Sequence, residues 1–169
     1  MLRASRFVLP ACLVLLLFSL AVAQDGDEGP APRFRAKTTA GESFNNESVK
    51  GKVVLLEFWT TWCPYCRREE ELINEIDKEF SPKGLLILAI DVGESKKTVK
   101  QYLTDNPRSC RIVLMQDTNL AAMYEAKSYP IYVVINREGN IVGTQRGAAG
   151  EQGLRAMLSR AGLEATDSE

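Results

Sequence analysis

Two cysteines separated by two residues, Cys63 and Cys66, are the side chains in this sequence best suited to reversible redox chemistry. An apolar run over 53–59 precedes them and predicts a buried strand, and a helix is predicted over 64–80. This spacing on a first helical turn brings two sulfur atoms within bonding reach. The free N–H groups and dipole of a helix N-terminus favour a thiolate at Cys63, and Pro64 suits the first helical position. The stretch therefore predicts dithiol–disulfide exchange.

Half of a zinc site and a packed but inert pair are the alternatives for these two cysteines. A zinc site needs four ligands, and the chain offers only Cys12 and Cys110 as further cysteines and contains no histidine. We interpret the pair as redox-active, with Cys63 accessible and Cys66 shielded. Cys110 is expected to be a small buried side chain, with pairing between two chains as the open alternative.

The composition is that of one globular domain. The 169 residues are 45% hydrophobic and 25% charged, with a net charge of −1, which gives no basic footprint for nucleic acid. The absence of histidine also excludes Cys–His and Ser–His catalytic pairs formed within the chain. Neither a metal nor another cofactor is expected.

The first 23 residues have the pattern of a secretory signal peptide. Arg3 and Arg6 precede an apolar run that ends in the small residues 21–23. An uncleaved membrane anchor is the alternative, although the run is short for a bilayer span. We therefore predict export to an oxidising, periplasmic or other extracytoplasmic compartment, where a dithiol stays reduced only if a donor supplies electrons. Residues 24–31, rich in Gly, Pro and acids, are predicted to be a flexible linker.

The remaining pattern predicts one domain over 32–163 and a disordered tail over 164–169. We predict a hairpin over 34–49, further strands over 85–90, 111–115, 131–135 and 141–145, and helices after Ser95, over 119–126 and over 151–161. In the short helix 119–126, Leu120, Met123 and Tyr124 are expected to face inward. This order predicts an α/β fold with a central mixed β-sheet flanked by helices, preceded by an N-terminal β-hairpin extension.

Two stretches give the sequence a resemblance to a known superfamily. The first is Phe-Trp-Thr-Thr-Trp-Cys-Pro-Tyr-Cys over 58–66, and the second is Tyr-Glu-Ala-Lys-Ser-Tyr-Pro followed by an apolar strand over 124–135. Together they resemble the thioredoxin superfamily, in particular its exported TlpA/ResA-like branch, over about residues 32–162. The resemblance implies a thioredoxin-like fold and disulfide-exchange activity.

The resemblance also implies roles for individual residues. Cys63 corresponds to the attacking cysteine, and Cys66 corresponds to the resolving one. Pro130 corresponds to a cis-proline that faces the cysteines and presents the backbone of Tyr129 to an extended substrate segment. The substrate contacts that we predict are Trp62, Pro64, Tyr65, Tyr129 and Pro130.

Two carboxylates are predicted to act near the sulfurs. Glu57, the only charge in its strand, falls where thioredoxins carry a buried acid, and Glu69 falls where the ResA-like branch has an active-site glutamate. Glu57 is interpreted as a proton acceptor for Cys66, or else as a side chain that reaches solvent or a lysine. Glu69 is interpreted as a catalytic or tuning residue, or else as an ordinary acid in a first helical turn.

The pattern departs from that of the family in two places. Glu71 stands where the first helix usually carries a proline, and Ile131 stands where a threonine commonly follows the cis-proline. The first departure predicts a less kinked helix.

We therefore predict an exported thiol–disulfide oxidoreductase that reduces disulfides in other proteins. The resemblance suggests apocytochrome c as one such partner, a membrane electron donor for re-reduction, and a monomer. Two alternatives remain open. A thiol peroxidase is suggested by the Thr-x-x-Cys in 60–63, although Leu56 occupies the place of the proline found upstream in peroxiredoxins. A non-catalytic peptide-binding module would use only the groove at Tyr129 and Pro130.

Overall fold

The computed structural model describes residues 29–164. The predicted signal peptide, Cys12, most of the predicted linker and all but the first residue of the predicted tail lie outside that range. The strands are β1 (Gly29–Pro30), β2 (Arg35–Thr38), β3 (Ser43–Asn45), β4 (Val53–Trp59), β5 (Leu85–Asp91), β6 (Arg111–Thr118), β7 (Ile131–Ile135) and β8 (Asn140–Arg146). The helices are α1 (Pro64–Phe80), α2 (Lys96–Asp105), α3 (Leu120–Met123) and α4 (Gly150–Arg160), with a 3₁₀ turn at Ser81–Lys83.

The strands form one mixed sheet in the order β1-β8-β7-β4-β5-β6-β2-β3. β4 lies near the middle, parallel to β5 and antiparallel to β7, and all of its residues are buried. Its continuous apolar run is therefore explained by helices and loops that cover both of its faces. The sheet places the end of β4, and the cysteines that follow it, at the carboxyl edge of a central strand.

Alternate residues of β4 serve two hydrophobic clusters, one on each face of the sheet. Val53, Leu55 and Trp59 pack with side chains from α1, α2 and α4. Val54, Leu56 and Phe58 pack on the opposite face with α3 and the N-terminal strands. The cluster that includes α1 also contains both cysteines, so the redox pair lies at the edge of a fully formed core.

Three elements differ from the prediction, and pairing between distant strands explains two of them. β1 lies inside the predicted flexible linker because it pairs with β8 at the edge of the sheet, where its proline interrupts no central ladder. β6 extends three residues beyond its predicted end and pairs with β2 there. The predicted helix 119–126 has only four helical residues, and Met123 is 43% exposed rather than inward.

Among residues 29–164, no helix has the length and apolar character needed to cross a bilayer.

Candidate redox site

The two cysteines form a disulfide at the N-terminus of α1, with their Cα atoms 5.3 Å apart. Cys63 is the N-cap residue of the helix, and Pro64 occupies its first turn. The Cys66 N–H donates to Cys63 Sγ at 3.1 Å, so one of the free N–H groups of the helix end points at the sulfur. That N–H and the helix dipole would stabilise negative charge on Cys63 once the disulfide is reduced.

The sulfur pair is more enclosed than the sequence predicted. Cys66 is fully buried as expected, but Cys63 is only 2% exposed. The accessible group beside it is Trp62, which is 64% exposed and meets the ring of Tyr129 edge-on at 5.9 Å between centroids. In the disulfide form, a partner therefore meets the aromatic surface before it meets a sulfur.

The segment before β7 lies against the cysteine turn. The Tyr129–Pro130 peptide bond is cis, Pro130 is buried, and the Tyr129 ring contacts Trp62. The Tyr129 hydroxyl donates to the carbonyl of Ala126 at 3.2 Å. Trp62 and Tyr129 therefore meet beside the cysteines, whereas Pro64 is exposed on the first turn of α1 and Pro130 is buried.

The fifth predicted contact residue, Tyr65, lies on the first turn of α1. It is 52% exposed, and the Arg68 guanidinium lies 4.5 Å from the centroid of its ring. This cation–π pair adds a positive charge and a second aromatic face to the exposed end of the helix.

Glu57 is fully buried and paired with Arg108. Arg108 Nη2 lies 2.5 Å from Glu57 Oε2, and neither side chain is exposed to solvent. The guanidinium also lies 4.8 Å from the centroid of the Trp59 ring. Glu57 therefore reaches neither solvent nor a lysine. Burial raises the pKa of Glu57, the charge and hydrogen bond of Arg108 oppose that rise, and the nearby charges of Glu70 and Glu69 add to it.

The side chain of Glu69, a residue of α1, contacts β7 and lies at the N-terminus of α4. Its carboxylate accepts the Tyr132 hydroxyl at 2.8 Å, the Ala149 N–H at 3.3 Å and the Gly150 N–H at 2.5 Å. A carboxylate at the N-terminus of α4 satisfies N–H groups that the helix leaves free and complements its dipole. The observed contacts of Glu69 are thus those of a cap that ties α1 to β7 and α4. A tuning role at the sulfurs stays a prediction.

Cys110 is free and buried, as predicted. Burial raises the pKa of its thiol to about 12, although the positive charge of Arg108 acts in the opposite direction. The thiolate is the reactive form of cysteine, so this side chain lacks the ionisation that redox chemistry requires.

We therefore expect Cys110 in the native protein to resist alkylation after the disulfide has been reduced. At pH 8, iodoacetamide should label Cys110 about a thousandfold more slowly than in the urea-unfolded chain, because burial leaves very little thiolate. Peptide mass spectrometry of both samples gives the comparison, with Cys63 as the internal reference. Equal labelling of Cys110 in the folded and unfolded chains would contradict this expectation.

Comparison with known proteins agrees with this geometry. The model of the AhpC/TSA family matches residues 28–144. The chain belongs to the AhpC/TSA family.

Two relatives of this chain have names that refer to disulfide exchange or to thioredoxin. The chain is 33% identical over 129 residues to the thiol-disulfide oxidoreductase ResA of Bacillus subtilis strain 168, a match that covers 76% of this chain and 72% of ResA. It is 34% identical over 137 residues to the thioredoxin-like protein YneN of the same strain, covering 78% and 79% of the two chains.

A solved structure confirms the predicted thioredoxin-like fold. The crystal structure of a thiol:disulfide interchange protein of the thioredoxin family from Chlorobium tepidum TLS superposes with a TM-score of 0.68 at 26% identity. The superposition covers 78% of this AhpC/TSA chain and 94% of that one.

Sequence reasoning missed two groups beside the site. Arg108 was not identified as the partner of Glu57, although a lone carboxylate in a buried strand signals that some cation must approach it. Glu94 binds Thr61, two positions before Cys63, and nothing in the sequence around Glu94 indicates that contact.

Proposed function

We propose that this protein is an exported thiol–disulfide oxidoreductase that reduces disulfide bonds in other proteins. The observation that carries the proposal is the Cys63–Cys66 disulfide at the N-terminus of α1, bordered by an exposed tryptophan and the Tyr129–Pro130 segment. The names of the curated relatives, ResA in particular, support the same activity.

The reaction begins with both cysteines reduced. The Cys63 thiolate attacks one sulfur of a substrate disulfide, a bond from Cys63 to the substrate forms, and the other substrate sulfur leaves as a thiolate that takes up a proton. Cys66 then loses its proton to solvent and attacks Cys63 Sγ, and the second substrate sulfur leaves as a thiolate that takes up a proton. This step closes the Cys63–Cys66 disulfide and releases the second substrate thiol. Two electrons have passed to the substrate, and a dithiol donor, which we place at the membrane, must return them.

Two features support the direction of electron flow. No histidine stands between the cysteines to stabilise a thiolate, since Pro64 and Tyr65 occupy those positions. Glu69 adds a carboxylate on the α1 side of the sheet, where negative charge disfavours the thiolate, whereas the charge of Glu57 is balanced there by Arg108. A less stable Cys63 thiolate makes the reduced protein a better electron donor. We therefore expect a reduction potential well below the value of about −120 mV that strongly oxidising relatives of thioredoxin have.

The substrate is a protein segment that binds in an extended conformation. The backbone of Tyr129 offers hydrogen bonds to such a segment, while Trp62 and Tyr65 offer apolar contact on either side of Cys63. Apocytochrome c is a substrate of this kind, because its paired cysteines must be reduced before heme is attached. The basic and apolar start of the chain, residues 1–23, supports export, and we propose that the protein acts as a monomer.

Trapping the substrate tests the proposal. In the Cys66→Ser variant of the full chain, the mixed disulfide on Cys63 cannot be resolved, so covalent adducts should accumulate. Affinity purification under non-reducing conditions, followed by mass spectrometry of what dithiothreitol releases, identifies them. The Cys63→Ser/Cys66→Ser double variant is the matched control and should carry none. Equal recovery of proteins from both variants would contradict disulfide exchange at Cys63.

A further inference from the structure

The turn that carries the attacking cysteine is held by side chains that lie outside the predicted site. Thr61 donates its backbone N–H to Glu94 Oε2 at 2.6 Å and its hydroxyl to Glu94 Oε1 at 2.7 Å. On the opposite side, Arg67 Nε donates to the Thr61 carbonyl at 2.8 Å. All three polar groups of Thr61 are thereby bound, and the residue is 8% exposed.

Glu94 is itself anchored to the sheet. Its N–H donates at 3.2 Å to Oδ1 of Asp91, the fully buried last residue of β5. Asp91 is the register partner of Trp59, the last residue of β4, and the Val92 N–H donates to the Trp59 carbonyl at 3.0 Å. The loop after β5 therefore runs beside the loop after β4, and Glu94 is the bridge between them.

We propose that Glu94 is a positioning residue for disulfide exchange, which fixes the Thr60–Trp62 turn so that a protein substrate meets Trp62 and Cys63 in one fixed arrangement. The proposal rests on the proposed function and adds a residue to its site. Within the turn itself, the Cys63 N–H donates to the Thr60 carbonyl at 3.3 Å, which is a long and weak hydrogen bond. Two charge-assisted bonds of 2.6 and 2.7 Å from Glu94 are stronger restraints.

A protein disulfide should depend on this restraint far more than a small one does. A large substrate must dock on Trp62 and the Tyr129 segment while its sulfur lines up with Cys63, and a misplacement of about 1 Å in such a site costs about a hundredfold in rate. A small aromatic disulfide needs only access to Cys63. Loss of the Glu94–Thr61 hydrogen bonds should therefore lower the rate on a protein disulfide and leave the rate on a small disulfide nearly unchanged.

The bridge contains two carboxyl groups and should carry one negative charge at neutral pH. Burial raises the pKa of Asp91 to about 8, and the hydrogen bond and charge of Glu94 contribute. Burial acts to raise the pKa of Glu94 too, but hydrogen bonds from Asp91 and Thr61 outweigh it, and its pKa is lowered. Burial raises the pKa of Tyr129, and the charge of Asp91 adds to that rise, while Arg67 supplies the positive charge on the other side of Thr61. Above about pH 8 both acids are ionised and repel each other.

The experiment compares two substrates on matched variants of the full chain. With dithiothreitol as the electron source, kcat/KM is measured for insulin, and the rate of the reduced protein with 5,5′-dithiobis(2-nitrobenzoate) is measured separately. Glu94→Ala should lose about 10- to 100-fold on insulin and less than about threefold on the small disulfide. Glu94→Gln should recover most of the insulin activity, because its amide can accept the Thr61 N–H and donate to the hydroxyl. Glu75→Ala, an exposed acid on α1, is the control and should match wild type.

A second pair of variants keeps the test decisive if Glu94→Ala is poorly folded by circular dichroism. Thr61→Val removes the hydroxyl bond and leaves the N–H bond, whereas Thr61→Ser keeps both, so the valine variant alone should lose insulin activity. In wild type, the ratio of the insulin rate to the small-disulfide rate should fall as the pH rises through 8. Asp91→Asn should remove that fall, because asparagine has no proton to lose.

The outcomes separate the two proposals. A parallel loss on both substrates, or equal behaviour of Glu94→Ala and Glu94→Gln, would overturn the positioning role and leave the exchange activity standing. If wild type reduces neither insulin nor the small disulfide, the proposed function itself is wrong.

Discussion

Replacing Cys63 by serine is expected to abolish the reduction of protein disulfides, with kcat/KM for insulin at least about a thousandfold below that of wild type. A serine hydroxyl does not attack disulfide sulfur under these conditions, and no other described thiol can substitute for Cys63. Cys66 is fully buried and lacks the N-cap position that Cys63 holds on α1, and Cys110 is buried with a raised thiol pKa. The measurement is insulin turnover with dithiothreitol as the electron source, corrected for the uncatalysed rate.

Cys110→Ala is the matched control for this loss. It removes a thiol of the same core cluster without touching the N-terminus of α1, so its activity should stay close to that of wild type. Full function of Cys63→Ser in cells would instead support a non-catalytic peptide-binding module. Rapid consumption of hydrogen peroxide by wild type, lost in Cys63→Ser, together with no effect on insulin, would support the peroxidase alternative.

The parts of the site that could be predicted are those with a local physical cause. Pro64 follows a residue that caps a helix, and Ser95 accepts the Thr98 N–H at the start of α2, so both helix starts follow from neighbouring residues. The buried strands β4, β5 and β7 follow from continuous apolar runs. The disulfide itself follows from two cysteines on one helical turn. In each case the interacting groups are within a few positions of each other along the chain.

The parts that were missed depend on side chains that are distant in sequence. Arg108 reaches Glu57 across 51 positions, and Glu94 reaches Thr61 across 33. The sequence contains several lysines and arginines that could pair with Glu57, and several acids that could bind Thr61. Nothing in the local pattern distinguishes Arg108 or Glu94 from the others. The sequence could state that buried Glu57 needs a partner, whereas only the packing of the loop before β6 against the sheet identifies which one.

The enclosure of Cys63 is a further consequence of packing between distant segments. Its position at a strand-to-helix turn predicted an accessible sulfur, yet Cys63 packs in the core cluster of α1 and is only 2% exposed, with Tyr129 packed against the same cluster. Accessibility depends on how two loops from different parts of the chain close on each other, which the spacing of cysteines does not encode.

Arg108→Met is expected to destabilise the folded protein by about 3–5 kcal/mol at pH 7, because it leaves Glu57 buried without its cation. For a domain of this size that loss lowers the melting temperature by about 10 °C. The Glu57→Met/Arg108→Met double variant removes both charges and replaces them with apolar volume, so it should recover most of the stability. Thermal unfolding followed by circular dichroism, with both cysteines oxidised in every sample, provides the comparison.

The pH dependence of this loss has a defined sign. Burial raises the pKa of Glu57 in the folded chain above its ordinary value, and removal of Arg108 takes away the charge that opposes this rise. Folded Arg108→Met therefore holds a proton on Glu57 that the unfolded chain releases above about pH 4.5, so its stability falls as the pH rises from that value. At pH 4, where Glu57 is mostly protonated in both states, the deficit relative to wild type should be smaller than at pH 7. A deficit that is constant across this range, or one that persists in the double variant, would mean that Arg108 stabilises the fold by packing on Trp59 and not by neutralising Glu57.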